Sequence, residues 1–248
     1  MGSVLGKSGG SSSVQKAKAS SAKGLRARAM KVDKILTRAY GRKEVGWKRT
    51  DPLDTLMLTI LSQNTNDVNR DRAYRALRMA FPRWEDVMGS NRRQVAKAIR
   101  VGGLANIKSE RIIDVLKFIN NERGQLSLEF LKRMTPAETE GWLSQMKGVG
   151  PKTRAIVMLF SLGMSAFPVD THVHRVTKRI GLIGRRTSRE RAQQELADLI
   201  PEGEYYNLHI NLIEHGRAVC AARKPRCPVC PVRSQCNYHH EVFLKGQT

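Results

Sequence analysis

Long apolar runs are absent from this 248-residue sequence: no stretch of about 18 consecutive apolar residues could span a bilayer, and the N-terminus lacks the apolar core of a secretory signal. We therefore expect an intracellular protein with no membrane association. Sustained alternation of apolar and polar residues and internal repeats are also missing. Because apolar residues instead recur at helical spacing almost throughout, the sequence predicts an all-α fold.

Acidic residues are scarce, with 22 Asp and Glu against 44 Lys and Arg, which gives a net charge of +22. Residues 1–50 contain 13 basic side chains against Asp33 and Glu44, a net of +11, so the other 198 residues also carry +11. Such an excess of positive charge favours a polyanionic partner, and nucleic acid is the first candidate. Residues 1–24 are rich in Ser, Gly, Ala and Lys and are predicted to be disordered.

The chain is long enough for two domains, since about 100 to 200 residues per domain is usual.

Several helix boundaries are marked by specific residues. Asp51 and Pro52 predict the N-cap and first position of one helix, and Thr135 with Glu138 forms the pattern of a capping box. Gly124 predicts the end of a helix that precedes it.

The segment 147–153, KGVGPKT, lies between two predicted helices. Gly148 and Gly150 allow the backbone to reverse tightly, and the second helix is predicted to begin at Pro151 or Lys152. Backbone N–H groups in such a turn, next to the positive end of a helix, can bind a DNA phosphate without any side chain. On its own, however, a GxG pattern is more typical of an ordinary corner between helices.

Cysteine is confined to one short segment near the C-terminus with the spacing C-x6-C-x2-C-x5-C, formed by Cys220, Cys227, Cys230 and Cys236. This crowding indicates a metal centre. Disulfides are the weaker alternative, because thiols stay reduced inside the cell. Four thiolates suit both tetrahedral zinc and a [4Fe-4S] cluster, and thiolate chemistry alone does not separate the two.

Four segments together carry a resemblance to a known family. They are KGVGPKT, FPVDTHVHRV at 167–176, HGR at 215–217, and the cysteine segment with ARKPR at 222–226. In this combination the chain resembles endonuclease III, the iron-sulfur branch of the helix-hairpin-helix (HhH-GPD) DNA glycosylases. The similarity is in register from about Asp51 to Tyr238, and the combination is more specific than any one of its parts.

The resemblance implies a two-domain helix-hairpin-helix DNA glycosylase fold. A six-helix barrel domain containing the hairpin would cover residues 51–164, an iron-sulfur cluster domain would comprise residues 25–50 and 165–240, and residues 1–24 would form the disordered basic tail. The four cysteines would bind a [4Fe-4S] cluster rather than zinc. The partner would be double-stranded DNA with damaged bases or abasic sites, bound between the domains with the damaged nucleotide flipped out of the stack. We expect a monomer in the cytoplasm or nucleoid.

Lys152 corresponds to the nucleophile of the family, and Asp170 corresponds to its catalytic carboxylate. A lysine amine attacks C1′ of a nucleoside only when neutral, so it needs a pKa lowered by partial burial and by a helix N-terminus. A nearby carboxylate can stabilise oxocarbenium character at the sugar and relay protons. The resulting Schiff base acidifies the C2′ proton and leads to β-elimination. Without the resemblance, Lys152 would be an exposed helix residue and Asp170 an N-cap.

Other residues correspond to DNA contacts of the family. Asn64, with Gln63 beside it, occupies the position of a polar residue that fills the hole left by the flipped base, where many members have Gln. Leu104 corresponds to an apolar wedge in the opposite strand, and its alternative is a loop leucine folded back on the core. The full set of expected DNA-contacting residues is Gln63, Asn64, Leu104, Gly148, Gly150, His172, Arg223, Lys224 and Arg226.

The leading functional hypothesis is a bifunctional DNA glycosylase/AP lyase of base excision repair that acts on oxidised pyrimidines of the thymine glycol and dihydrouracil type. One alternative is a monofunctional mismatch or alkylated-base glycosylase. Mismatch enzymes of the family typically have Ser or Tyr at the position of Lys152, and the adenine enzymes have a catalytic Glu where this chain has Thr59. The other alternative is a DNA-binding scaffold without catalysis, which cleavage of abasic-site DNA would exclude.

Overall fold

The computed structural model describes the backbone of residues 10–44 and 50–243 and the side chains of residues 22–44 and 50–242. Its α-helices are α1 (Gly10–Tyr40), α2 (Pro52–Leu61), α3 (Asp67–Ala80), α4 (Trp84–Gly89), α5 (Arg92–Ala98), α6 (Ala105–Arg123), α7 (Pro136–Ser144), α8 (Pro151–Ile156), α9 (Thr171–Ile180), α10 (Arg189–Leu199) and α11 (Tyr205–Ala218). No β-strand occurs in the described ranges, so the predicted all-α fold is confirmed. Nor does any helix in those ranges combine the length and apolar character needed to cross a membrane.

The helix boundaries follow the predicted capping residues. Asp51 accepts hydrogen bonds from the backbone N–H groups of Leu53 and Asp54 at 2.8 and 2.9 Å, and α2 begins at Pro52. Thr135 and Glu138 form the capping box that opens α7. Helix α6 ends at Gly124, which has a φ of 68°. These signals were predictable because each depends on residues within one helical turn.

The chain divides into two compact units, one formed by Met1–Glu44 and Val169–Thr248 and the other by Val45–Pro168. The first unit contains α1 and α9–α11 and will be called the cysteine unit. The second contains α2–α8 and will be called the hairpin unit. The domain boundaries expected at residues 50/51 and 164/165 lie a few residues away from these divisions.

The hairpin unit is built around one apolar core, to which α2 contributes Leu56 and Ile60 and α6 contributes Ile112 and Leu116, all fully buried. After α8 the chain continues as a π-helical turn over Val157–Leu162, so the helix that begins at Pro151 changes its pitch after Ile156. Within this wider turn Ser161 donates a hydrogen bond to the hydroxyl of Thr55 in α2 at 2.6 Å. The core therefore holds α2, α6 and α8 in place.

In the cysteine unit, α1 and α9 both pack against α11. Helix α1 buries Ala29, Val32 and Leu36 at helical spacing. Polar groups join the same helices: the buried amide of Asn207 in α11 donates to Asp33 in α1 at 2.8 Å. This packing anchors α11, which leads directly into the cysteine segment.

Helix α1 begins earlier than expected, at Gly10. The structure therefore differs from the predicted disorder over residues 10–24, while residues 1–9 of that tail lie outside the described residues. The segment contains no proline, and extending an existing helix costs less than starting a new one. The packed part of α1 thus provides a nucleus from which the helix can continue toward the N-terminus.

Candidate active site

The turn between α7 and α8 is the helix-hairpin-helix element, and its two glycines have different roles. Gly148 has a φ of 86°, a left-handed conformation that a residue with a Cβ adopts only with strain. Gly150 has φ −78° and ψ 173°, ordinary extended values, and caps α8 with Pro151 as the first helical residue. The expectation that both glycines permit the reversal therefore holds only for Gly148. A Cβ on Gly150 would meet nothing within 4 Å, so another group can approach its backbone closely.

Two arginines that the sequence reasoning missed hold this turn. Arg154 in α8 donates to the carbonyl of Val149 at 2.9 Å and to the carboxylate of Glu140 in α7 at 2.7 Å, which links both helices to the turn. Arg111 in α6 lies over Gly148, where a Cβ would be 2.5 Å from its Cδ and closer still to its Nε. The guanidinium of Arg111 also donates to the side chain of Gln63.

Lys152 is the second residue of α8 and is half-buried. The first turn of this helix is closed by a 3.1 Å hydrogen bond from the N–H of Arg154 to the carbonyl of Gly150. The positive end of the helix dipole lies at this turn. Pro151 has no N–H, so one possible backbone donor to a phosphate is missing from the turn. Lys152 thus lies at a half-buried position beside the N-terminus of a helix.

Two loops of the hairpin unit contain three more of the predicted DNA contacts. Asn64, which follows α2, is exposed and has a φ of 50°. Leu104, which precedes α6, has a φ of 49° and is 47% exposed, so it is not folded back on the core. Gln63 is half-buried and directed to Arg111. Asn64 and Leu104 thus point outward, whereas Gln63 is part of the contacts around Gly148.

In the cysteine unit, Asp170 is the N-cap of α9 and accepts a hydrogen bond from the N–H of Val173 at 2.7 Å through Oδ1. The N-cap role considered for this residue is therefore present. This hydrogen bond uses Oδ1 of the carboxylate, and the residue is half-buried. A carboxylate fixed through one oxygen at a helix N-terminus can present the other to a developing positive charge.

His172 follows in the first turn of α9 and is held by Arg175. The guanidinium of Arg175 lies 3.1 Å from Nδ1 of His172 and donates to the carbonyls of Gly216 and Cys220 at 2.8 and 2.9 Å. Burial lowers the pKa of His172, and the positive charge of Arg175 acts in the same direction. A neutral imidazole is favoured, so His172 would contact DNA through hydrogen bonding rather than through charge.

All four cysteines are free thiols and line one pocket, with Ile180, Val219 and Val232 among its apolar walls. Cys227 and Cys236 are buried, and burial raises the pKa of the Cys230 thiol to about 11. Thiols in this setting need a positively charged partner to ionise. No group of three or more His, Cys, Asp or Glu side chains close enough for a metal ion occurs in the described part of the chain.

Two polar side chains lie beside the sulfur atoms. The guanidinium of Arg179 lies 3.4 Å from Sγ of Cys220, and Nε2 of His215 lies 3.6 Å from Sγ of Cys230. Burial lowers the pKa of His215 to about 4, so its ring is neutral near pH 7. Its Nδ1 lies 2.9 Å from the hydroxyl of Tyr40. When Tyr40 donates to Nδ1, Nε2 carries the proton and can donate to a Cys230 thiolate.

The basic residues of the cysteine segment are directed outward. Arg223, Lys224 and Arg226 are all exposed, and Lys224 has a φ of 49°. The N–H of Arg226 donates to the carbonyl of Val219 at 2.9 Å, which closes the loop that contains them. Three exposed cations on a short closed loop form a surface suited to phosphate groups.

Residues 57–202 match the model of the HhH-GPD superfamily of base excision DNA repair proteins, and the chain belongs to that family. As a member it is a base excision DNA glycosylase, which confirms the resemblance inferred from the motifs.

Endonuclease III of Rickettsia felis is 34% identical over 76% of this chain and 84% of its own. A protein of Arabidopsis thaliana named as a DNA glycosylase is 38% identical over 69% of this chain, which spans 59% of that relative's length. A solved non-covalent complex of endonuclease III with DNA has the same fold, with a TM-score of 0.76, 23% identity and coverage of 88% of this chain and 98% of that one.

Proposed function

We propose that the chain is a bifunctional DNA glycosylase/AP lyase that removes oxidised pyrimidines from double-stranded DNA and nicks the strand by β-elimination. The observation that carries this proposal is the placement of Lys152, half-buried in the first turn of a helix that directly follows a glycine turn. A lysine there offers a primary amine where DNA backbone can be held by main-chain N–H groups.

Lys152 attacks C1′ of the damaged nucleoside through its neutral amine. The bond between C1′ and the base breaks, the base leaves with a proton, and opening of the sugar ring gives an imine between Nζ and C1′. Loss of a C2′ proton then expels the 3′ phosphate, which cleaves the strand. Water as the nucleophile would release the base but leave the strand intact, so the lysine accounts for both activities.

Asp170 stabilises the positive charge that develops on the sugar as the base departs. Its Oδ1 is used by the helix cap, and its Oδ2 is the oxygen assigned to this role. A carboxylate also accepts and returns protons as the Schiff base forms and breaks down. The cap supports the proposal because it restricts the rotation of the carboxylate.

DNA binding is assigned to main-chain and basic groups. The turn at Gly148 and Gly150 would hold one phosphate through N–H groups, and Arg223, Lys224 and Arg226 would contact others. Asn64 and Leu104 are both exposed and both in left-handed conformations. Asn64 is proposed to fill the space left by the flipped nucleotide, and Leu104 to wedge into the opposite strand. The net charge of +22 is consistent with this partner and with a location where DNA is present.

The four cysteines are proposed to hold a [4Fe-4S] cluster. Four thiols line one pocket with apolar walls, and Arg179 and His215 lie beside two of the sulfur atoms. The thiols do not converge on a single ion, but in a cluster of four irons each thiolate binds its own iron, so the residues fit such a group. When bound, the cluster would supply four iron–thiolate bonds that join the end of α11 to the loop that follows it. The chain's own part is to keep the exposed cations of that loop in a fixed arrangement.

A panel of defined duplexes tests the proposal, with thymine glycol, dihydrouracil, an alkylated purine, mismatches and a preformed abasic site. Each duplex is scored both for base release and for strand cleavage. We expect release and cleavage together on the oxidised pyrimidines and cleavage of the abasic site. Release without cleavage would identify a monofunctional enzyme, and neither activity would identify a DNA-binding scaffold.

A further inference from the structure

Lys108, in the first turn of α6, is a charged residue with no contact to solvent. It is 1% exposed and belongs to the largest fully buried side chains of the described residues. Burial also lowers its pKa. An ammonium group is costly to bury unless hydrogen bonds compensate it, and an apolar residue would pack here at lower cost. The hydrogen-bond partners of Lys108 therefore indicate the role of its buried ammonium group.

Among the described residues, Nζ of Lys108 donates hydrogen bonds to two backbone carbonyls, each at the start of a loop. Nζ donates to the carbonyl of Leu61 at 2.7 Å and to the carbonyl of Gly102 at 2.8 Å. Leu61 is the last residue of α2 and leads into the loop with Asn64, and Gly102 leads into the loop with Leu104. One buried ammonium thus joins the bases of two loops that are separated by about forty residues of sequence and that both contain predicted DNA contacts.

The two loops share a second property. Asn64 and Leu104 have φ values of 50° and 49°, and among the described non-glycine residues only Lys224 also has a positive φ. Such conformations are unfavourable for a residue with a Cβ and persist only where the surrounding structure fixes them. Leu104 is the N-cap of α6, and its apolar side chain makes no cap hydrogen bond. Lys108 bonds to the backbone on both sides of this loop residue, since its N–H donates to the carbonyl of Leu104 at 3.0 Å and its Nζ to that of Gly102.

We propose that Lys108 is a positioning residue that holds the Asn64 loop and the Leu104 loop in one fixed arrangement, so that both side chains enter the DNA together. The inference rests on the proposed function, in which Asn64 fills the space of the flipped nucleotide and Leu104 wedges into the opposite strand. Extrusion of a paired base requires both residues at the same moment, whereas a preformed abasic site has no base to unstack. Loss of Lys108 should therefore slow base release more than cleavage at an abasic site.

The test compares Lys108→Met, which keeps the length of the side chain but removes its donors, with Lys117→Met, which removes an exposed lysine from the same helix. Single-turnover rates are measured for base release from a thymine glycol duplex and for cleavage of a preformed abasic site. For Lys108→Met we expect release to fall tenfold to a hundredfold, on the order of what a small misplacement costs, with much less change in abasic cleavage. Lys117→Met should change neither rate.

Fluorescence of 2-aminopurine, placed opposite the lesion, measures unstacking of the opposite strand in the same duplexes. Its fluorescence should rise when wild-type protein or Lys117→Met unstacks it, and should rise less with Lys108→Met. Equal losses of release and abasic cleavage, or unchanged release and fluorescence, would overturn the proposal. If Lys108→Met lacks the helical circular dichroism of the wild type, Lys108→Gln replaces it. Its amide is shorter and uncharged but still donates, so we expect changes in the same direction and of smaller size.

Hydrogen exchange separates this inference from the proposed function. Amides of residues 62–66 and 101–105 should lose protection together in Lys108→Met and not in Lys117→Met. If wild-type protein neither releases bases nor cleaves abasic DNA while this exchange pattern is found, the proposed function fails and the structural role of Lys108 stands. If wild-type protein is active and the exchange of both loops is unchanged in Lys108→Met, the inference on Lys108 alone fails.

Discussion

Substitution of Gly148 by alanine should destabilise the hairpin turn. The φ of 86° costs a residue with a Cβ about 1–2 kcal/mol. The new Cβ would also clash with the side chain of Arg111, which must move and give up its hydrogen bond to Gln63, at a cost of about 1–2 kcal/mol for a half-buried hydrogen bond between a charged and a neutral group. We therefore expect a loss of about 2–4 kcal/mol in the free energy of unfolding.

Thermal unfolding followed by circular dichroism measures this loss, which corresponds to a decrease in Tm on the order of 5–15 °C. Gly150→Ala is the matched control, because its φ of −78° suits alanine and its Cβ would meet nothing within 4 Å. Its Tm should stay close to that of the wild type, while its affinity for duplex DNA, measured by fluorescence anisotropy, should fall if a phosphate packs against the turn. A Tm of Gly148→Ala equal to that of Gly150→Ala would refute the reasoning.

Three further predictions follow from the site. Leu104→Ala should leave binding of undamaged duplex unchanged and reduce base release, because the wedge acts only after a base leaves the stack; equal losses in both assays would contradict this role. Asp170→Asn should keep α9 capped and the Tm near that of the wild type, while base release falls by at least 10²-fold, roughly the contribution of one acid–base group; an unchanged rate would remove Asp170 from the reaction. Purified protein should absorb broadly near 400 nm and contain about four irons per chain, and Cys227→Ser should lose both; a colourless protein with stoichiometric zinc would be the contrary result.

Local features of the fold could be predicted from the sequence. The caps at Asp51 and Thr135 and the helix end at Gly124 depend on neighbouring residues, so their patterns were sufficient. The length of α1 could not be predicted from composition, because a low apolar content does not prevent a helix from continuing once another part of it is packed. The different roles of Gly148 and Gly150 required φ and ψ values, which a GxG pattern does not specify.

The residues that support the site were harder to predict from the sequence. Arg111 contacts Gln63 across 48 positions, and no local pattern indicates such a pair. Lys108 did leave a signal, since it lies four residues before Ile112 on the buried face of α6 that also includes Val115 and Leu116. A lysine at that register predicts a buried, hydrogen-bonded ammonium, but its partners, the carbonyls of two separate loops, depend on the tertiary structure.

The most direct test of the central claim is covalent trapping at Lys152. Borohydride added during turnover of a thymine glycol duplex reduces the imine between protein and C1′, and peptide mapping then locates the modified residue. We expect wild-type protein and Lys147→Gln to form the adduct at Lys152, and Lys152→Gln to bind the same DNA without trapping or cleavage. Efficient trapping by Lys152→Gln would show that another amine is the nucleophile and would contradict the account.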